Sequence, residues 1–168
     1  MSTLRQRRLP KSSPAQPLAS ETEYRRLLET MAQGVVYHAA DGAIIAANPA
    51  AGRLLGLTLD QMQGRTSMDP RWRAIHEDGA PFPGETHPAM VALGTGQPVD
   101  DVVMGVFNPA IEAYRWLSVS ARPQFQPGAD KPHRVFATFT DITEYQLTKE
   151  RLRVSEEKYR TLTESMKD

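Results

Sequence analysis

The stretch G-V-V-Y-H-A-A-D-G-A-I-I-A-A at residues 34–47 contains the clearest structural signals in the sequence. Residues 34–40 are rich in side chains that favour β-strands, and Asp41-Gly42 is a dipeptide typical of two-residue hairpin turns. Residues 43–47 are again β-prone. The stretch therefore predicts a β-hairpin.

Signals for short helices follow the hairpin. Asn48 has the side chain of a helix N-cap, Pro49 suits the first helical position, and Gly56 suits the helix end. Residues 58–61, T-L-D-Q, have the spacing of a capping box, and His87-Pro88 can begin a further helix. The middle of the chain is therefore predicted to contain short helices joined by loops.

Three more runs have the composition of strands, at residues 99–107, 114–123 and 134–142. The first and the third carry apolar side chains on both faces. A sheet with two largely apolar faces must be covered on both sides. We expect the short helices to cover one side, and the terminal helix or a second subunit to cover the other.

The C-terminal part of the sequence predicts one long helix. Residues 143–146, T-E-Y-Q, have the spacing of a second capping box, and neither Pro nor Gly follows. Four residues recur at intervals of seven, as along a coiled-coil seam: Tyr145, Leu152, Tyr159 and Met166. The second column of that seam is polar: Lys149, Glu156 and Thr163. The helix is therefore either a dimer seam that depends on the preceding domain or a solvated linker.

A nine-residue segment occurs twice, as E-Y-R-R-L-L-E-T-M at 23–31 and as K-Y-R-T-L-T-E-S-M at 158–166. The first copy leads into the predicted domain. We expect the second copy to begin another domain of the same kind, which would make this chain a fragment of a longer protein. Chance similarity between two amphipathic helices is the alternative.

The composition excludes several classes of protein. The sequence has no Cys, so disulfides, thiolate zinc sites and Cys nucleophiles are excluded. Twenty basic and twenty acidic residues give no net charge, which argues against a nucleic-acid partner. Residues 1–20 are basic and rich in Pro, which predicts a disordered tail. No signal peptide or membrane span is present in the sequence, and we expect a soluble, cytoplasmic protein.

The order of the motifs over residues 22–143 resembles the PAS sensory domain family. The residues that carry the resemblance are Asp41-Gly42, Ala43-Ile44-Ile45, Asn48-Pro49-Ala50-Ala51, Leu55-Gly56, Gly64, Arg115-Trp116-Leu117-Ser118-Val119-Ser120, Arg122-Pro123 and Asp141-Ile142-Thr143. The resemblance implies an α+β fold with a five-stranded antiparallel sheet, flanking short helices and a long C-terminal signalling helix. The expected division is a tail at 1–20, a PAS domain at 21–143, and at 144–168 a linker or coiled-coil helix leading into a second, truncated PAS domain.

The resemblance also implies how such a domain would signal. Bacterial PAS modules usually precede a histidine kinase, a cyclic-diguanylate enzyme or a transcription factor, so we expect a homodimer with an effector in cis. Asp141, Ile142 and Thr143 are the expected coupling residues, because a helix capped by Thr143 directly after the last strand would respond to movement of that strand. An ordinary helix cap is the alternative.

A pocket between sheet and helices is expected from the same resemblance. The residues aligned with it are Tyr37, Ile45, Leu55, Met62, Trp72, Ile75, His87, Met90, Val91, Met104, Val106, Leu117, Val119, Ala137 and Phe139. Members of the family bind haem, flavin, a chromophore, a small metabolite or nothing. Without Cys, covalent flavin adducts and Cys-linked chromophores are excluded. His87 is the candidate axial ligand for haem, Trp72 and Trp116 are candidates beside a non-covalent flavin, and a small metabolite or no ligand remains the main expectation.

Catalytic groups are not evident in the sequence. Neither a phosphate-binding Gly loop nor an H-E-x-x-H zinc motif occurs, and the long helix has no His to accept a phosphoryl group. We therefore predict no metal site and no catalysis within these residues, although the parent protein can be a histidine kinase or a cyclic-diguanylate enzyme. The function expected is a sensory input domain. Its alternatives are a haem or flavin sensor of gas or redox state, and a ligand-free dimerisation and relay module.

Overall fold

The computed structural model describes residues 21–167, so the tail predicted for residues 1–20 lies outside the described residues. The helices are α1 (Glu21–Thr30), α2 (Pro49–Leu55), α3 (Leu59–Met62), α4 (Pro88–Thr95) and α5 (Thr143–Ser165). The strands are β1 (Gly34–Ala39), β2 (Ile44–Ala47), β3 (Ala74–Ile75), β4 (Val99–Asn108), β5 (Ala113–Gln124) and β6 (Arg134–Asp141). A 3₁₀ turn, Gly84–Thr86, precedes α4. The α+β class is confirmed.

The strands form one antiparallel sheet in the order β2-β1-β6-β5-β4-β3. Five strands were expected and six are present, because the two-residue strand β3 extends the sheet beyond β4. Ala74 pairs with Val106, and Ile75 pairs with Gly105. A Cβ atom on Gly105 would lie 2.8 Å from the Ile75 side chain, so the missing side chain lets β3 approach. Two residues are too few to produce a strand pattern in sequence.

The hairpin forms, but its loop is Ala40-Asp41-Gly42 rather than the expected two-residue turn, because the Ala39 N–H donates to the Ala43 oxygen. Helix α2 forms as its local signals predict, and one amide joins the two. Oδ1 of Asn48 accepts hydrogen bonds from the backbone N–H of Ala51, as an N-cap, and of Val35 in β1. Its Nδ2 donates to the carbonyl oxygens of Leu28 and Gln33. Asn48 therefore ties the end of α1, β1 and α2 together with every hydrogen bond that its side chain can make.

The predicted helix ends are also confirmed. Gly56 ends α2 with a φ of 68°, and a Cβ atom there would lie 2.0 Å from Oδ1 of Asn108, so only glycine fits. Thr58 and Gln61 make both hydrogen bonds of the capping box that starts α3.

The core lies on the inner face of the sheet, which the helices α2, α3 and α4 cover. Its main cluster consists of Val36, Ile44, Ala51, Leu55, Met62, Phe82, Met104, Val106, Leu117, Val119 and Phe139. A second cluster is made of small residues that let α4 approach β5 and β6 closely: Ala89, Ala92, Ala121, Val135 and Ala137. The apolar side chains on this face account for the packing of the domain.

The outer face of the sheet is only partly covered. The expectation that α5 covers it is wrong, because no α5 side chain is buried. Helix α1 also buries none, although the hydroxyl groups of Tyr24 and Tyr37 lie 3.0 Å apart. Trp116 and Phe136 remain half-buried on this face. Cover by a second subunit stays a prediction.

Within residues 21–167, no helix has the length and apolar character needed to cross a membrane.

Candidate functional site

The inner face of the sheet encloses a cavity of about 90 Å³, which we call the inner cavity. Its walls are Val36, His38, Ile44, Leu55, Ser67, Trp72, Ala74, His87, Pro88, Ala89, Met104, Val106, Leu117, Val119, Ala137 and Phe139. Nine of the residues expected at a pocket lie in this wall: Leu55, Trp72, His87, Met104, Val106, Leu117, Val119, Ala137 and Phe139. The structure therefore brings residues from α2, β4, β5 and β6 together around one apolar space.

The expected positions in β1 and β2 are wrong by one residue. Tyr37 points to the outer face, where it meets Tyr24, and Ile45 is 45% exposed. Val36, His38 and Ile44 line the inner cavity instead. Both faces of β1 carry apolar residues, so alternation alone did not identify the inner one. The pairing of Val36 with Ala137 of β6 fixes the register.

Four further expected residues lie outside the cavity wall. Met62 is buried in the neighbouring core, and Ile75 packs over Gly105 at the edge of the sheet. Met90 and Val91 are partly buried, because α4 turns its smaller residues Pro88, Ala89 and Ala92 towards the sheet. Helix α4 can therefore pack closely on the sheet because small side chains, rather than Met90 and Val91, face it.

Two histidines line the inner cavity, and each is held by a backbone carbonyl. Nδ1 of His38 lies 3.0 Å from the Gly42 oxygen, and Nε2 of His87 lies 3.1 Å from the Phe82 oxygen. A carbonyl only accepts, so each of these nitrogens carries the proton. Burial lowers the pKa of both imidazoles below the ordinary value of 6.5, against the opposing effect of these hydrogen bonds. Both rings are therefore neutral near pH 7.

The inner cavity adjoins a surface cleft of about 380 Å³. The two spaces share Ser67, Trp72, Ala74 and His87 as lining residues. Phe82 lies on the cleft side, stacked on His76 with ring centroids 4.0 Å apart and edge-on to His87 at 5.3 Å. The cleft and the inner cavity are therefore neighbouring spaces, with Trp72 and His87 in the wall of both.

The residues of the inner cavity do not fit haem or flavin. Sites for molecules of that size enclose several hundred cubic ångströms, roughly 300 Å³ or more, against about 90 Å³ in the inner cavity. His87, the expected axial ligand, has its Nε2–H committed to Phe82. Trp116 lies on the outer face of the sheet, beside α5, and not in the cavity wall. Among the described residues, no cluster of three metal-binding side chains occurs.

The junction between β6 and α5 is a network centred on Trp116 of β5. The Trp116 N–H donates to Oγ1 of Thr143 at 2.9 Å, and its carbonyl accepts from the Ile142 N–H at 2.8 Å. The expected capping box at Thr143 is wrong: Ile142 is the N-cap residue and provides no side-chain hydrogen bond. The Thr143 hydroxyl is used by the neighbouring strand, so it fixes α5 to the sheet.

Asp141 holds the same junction from the other side. Its Oδ1 accepts from the Thr143 N–H at 2.9 Å, and its Oδ2 pairs with Nη1 of Arg115 at 2.6 Å. Partial burial raises the pKa of this carboxyl, but the hydrogen bonds from Thr143 and Arg115 outweigh it, and the pKa lies below its ordinary value. The coupling residues thus lie together at one point, where the sheet ends and the helix begins.

A second contact to α5 involves a residue that the sequence did not single out. Oε1 of Glu77, in the loop after β3, accepts from Nε2 of Gln146 at 2.8 Å and lies 3.4 Å from Nζ of Lys149. The hydrogen bond from Gln146, followed by the charge of Lys149, lowers the pKa of Glu77. No local sequence signal could have identified Glu77, because its partners are about seventy positions away.

The remaining surface of α5 is exposed. The seam residues Tyr145, Leu152, Tyr159 and Met166 are between 60% and 85% exposed. The helix is 23 residues long, and its ion pairs beyond Lys149 join Arg153 to Glu150 and Glu157 within the helix itself. Most of α5 therefore extends from the domain without a covering element.

The PAS family model, described as the PAS fold, matches residues 22–85. No curated protein matches the chain in sequence. The PAS domain of a protein from Colwellia psychrerythraea is similar with a TM-score of 0.55 at 15% identity, over 73% of this chain and 97% of that one. A sensory box histidine kinase/response regulator from Burkholderia thailandensis E264 gives 0.56 at 18%, over 83% and 98%. The PAS domain of nitrogen regulation protein NR(II) from Vibrio parahaemolyticus gives 0.50 at 14%, over 71% and 97%. Likeness at these identities concerns the fold.

Proposed function

Starting from a chain whose described domain has the PAS fold, we propose that it is a sensory input module that responds to a small ligand in the inner cavity. The supporting observation is that strand β5 contacts both the inner cavity and the start of α5. Leu117 lines the inner cavity and pairs with Asp141 of the junction. Its neighbour Trp116 holds Thr143 through its backbone N–H and Ile142 through its carbonyl. Cavity and helix are thus connected through adjacent residues of β5.

The physical sequence of events follows from these contacts. A ligand that displaces Leu117 also displaces Trp116, because both belong to one strand. The Trp116 N–H and carbonyl hold Thr143 and Ile142, so their displacement changes the direction or the first turn of α5. The ligand shifts this equilibrium only by the difference between its affinities for the two arrangements.

The effector would act downstream of α5 in the same polypeptide. Residues 21–143 would be the sensory domain, and α5 would lead from it towards a second domain of the same kind. The resemblance of 158–166 to 23–31 supports this arrangement. The similar structure from a sensory box histidine kinase/response regulator makes a kinase one class of effector to test.

Ligand binding is tested by thermal unfolding against a panel of small metabolites. A compound that binds the folded domain raises its melting temperature by mass action. Ala137→Leu would fill the inner cavity and abolish the shift, whereas Ala46→Leu, at an exposed position of β2, would leave it intact. Hydrogen exchange at residues 143–147 should change with the ligand in the wild type. A panel without any stabilising compound would contradict the proposal.

A ligand-free dimerisation and relay module is the second candidate, and the exposed seam on α5 favours it. In this alternative the helices of two copies associate, and the domain sets their position. Truncation after Thr143 would then weaken or abolish self-association, measured by analytical ultracentrifugation. An unchanged distribution of monomer and dimer would refute an interface formed by the helix.

A further inference from the structure

His38 differs from every other polar residue of the inner cavity. Ser67, Trp72 and His87 line both the inner cavity and the surface cleft, whereas His38 lines the inner cavity alone. Its side chain is held by β1, and the residue is 6% exposed. Among the polar side chains of the cavity wall, His38 is therefore the one that belongs to the inner cavity alone.

The hydrogen bonding of His38 determines what it can offer. Nδ1 carries the proton that is donated to the Gly42 oxygen, so Nε2 of the neutral ring has a lone pair and no proton. Within residues 21–167, Nε2 has no hydrogen-bond partner, and it is not among the fully buried side-chain atoms that lack one. Because the His38 ring lines the inner cavity, this unpaired nitrogen is the polar atom that the ring can offer there. The inner cavity therefore presents a hydrogen-bond acceptor.

The walls also restrict the charge of a ligand. The sixteen lining residues include no Asp, Glu, Lys or Arg, and burial keeps both imidazoles neutral near pH 7. An ionic group would lose its hydration there without gaining a partner of opposite charge. At about 90 Å³, the space accommodates only a few non-hydrogen atoms of a ligand.

We propose that the inner cavity binds small, uncharged molecules that donate a hydrogen bond from O–H or N–H to Nε2 of His38, such as alcohols, phenols and azoles. This inference rests on the proposed function, because it names the ligand class of the same cavity. Carboxylates and phosphates are excluded from the class. Apolar molecules without a donor bind more weakly, because they bury the His38 acceptor unpaired.

Three probes of five non-hydrogen atoms test the proposal: pyrrole, which donates; furan, which has the same shape and no donor; and propionate, which is charged. Dissociation constants come from NMR titration of the ¹⁵N-labelled chain. We expect pyrrole to bind about fivefold more tightly than furan, as one neutral hydrogen bond would give, and propionate not to bind. His38→Phe keeps a ring and removes the acceptor, so the preference should disappear, whereas His133→Gln, outside the cavity, should retain it.

The outcomes separate this inference from the proposed function. Equal binding of pyrrole and furan would overturn the donor requirement and leave ligand sensing intact, and tighter binding of propionate would overturn the uncharged class. Failure of all three probes would overturn the inference, while the metabolite panel tests the sensor proposal separately. If His38→Phe does not fold, the ¹⁵N resonance of Nε2 in the wild type replaces it: pyrrole should shift this resonance and furan should not.

Discussion

The inner side of the sheet and helix α5 are fixed by different kinds of interaction. Around the inner cavity, side chains from five strands and two helices are buried against one another, and Leu117 is only 1% exposed. Helix α5 has 23 residues and no buried side chain, and polar contacts at Thr143, Gln146 and Lys149 hold its start. The comparison shows that the domain is stable through packing, whereas the direction of α5 depends on a few hydrogen bonds.

The largest expected difference between the two regions is in stability. Leu117→Ala should lower the free energy of unfolding by about 2–5 kcal/mol, because it leaves a void in a packed wall. Leu152→Ala makes the same chemical change at a site that is 60% exposed and should alter stability by less than about 0.5 kcal/mol. Urea unfolding followed by circular dichroism measures both. Similar losses for the two variants would show that α5 packs on a surface after all.

The effect of pH should also separate the regions. Burial lowers the pKa of His38 and His87 in the folded state, so below the ordinary value of 6.5 the unfolded chain binds more protons, and stability falls as pH decreases. The urea midpoint should therefore be lower at pH 5.5 than at pH 7.5, and less so in His38→Gln and His87→Gln. Glu77→Gln is the control. The pKa of Glu77 is lowered from 4.5, so this carboxyl group titrates below the range of pH 5.5 to 7.5. An unchanged pH dependence in both histidine variants would contradict the prediction.

The smallest expected effects are at the two contacts that hold α5. Asp141→Ala removes the bonds to Thr143 and Arg115 and should cost about 1 kcal/mol at this partly exposed site. Glu77→Gln weakens a solvent-exposed contact and should lower the free energy of unfolding by roughly a few tenths of a kcal/mol. Both variants should nevertheless speed hydrogen exchange over residues 143–149, with Asp141→Ala stronger. Unchanged exchange in Asp141→Ala would show that the junction does not hold the helix.

Elements with local causes were predictable from the sequence. The cap at Asn48 and the capping box at Thr58 depend on residues within a few positions of each other, and each forms as expected. Asp41-Gly42 likewise marks the hairpin, although its loop also includes Ala40. The resemblance to the PAS family identified the six wall residues of β4, β5 and β6. The fold class followed from the order of these elements along the chain.

Features with distant causes were not predictable. The phase of β1 depends on pairing with β6, about a hundred positions away, and β3 exists because Gly105 leaves room for Ile75. Thr143 lies at a position that predicts a helix cap, but its hydroxyl accepts a hydrogen bond from the Trp116 N–H instead. The role of His38 depends on which ring nitrogen Gly42 engages. In each case a tertiary contact overrides or completes a local pattern.

The four hydrogen bonds of Asn48 have a practical meaning for protein engineering. Two of them reach back to the backbone of Leu28 and Gln33, before the first strand. A chimera that grafts this domain onto another protein must therefore keep its own residues from at least Leu28 onwards. A fusion joined at Gly34 would retain every strand of the sheet and still leave two buried donors of Asn48 without acceptors.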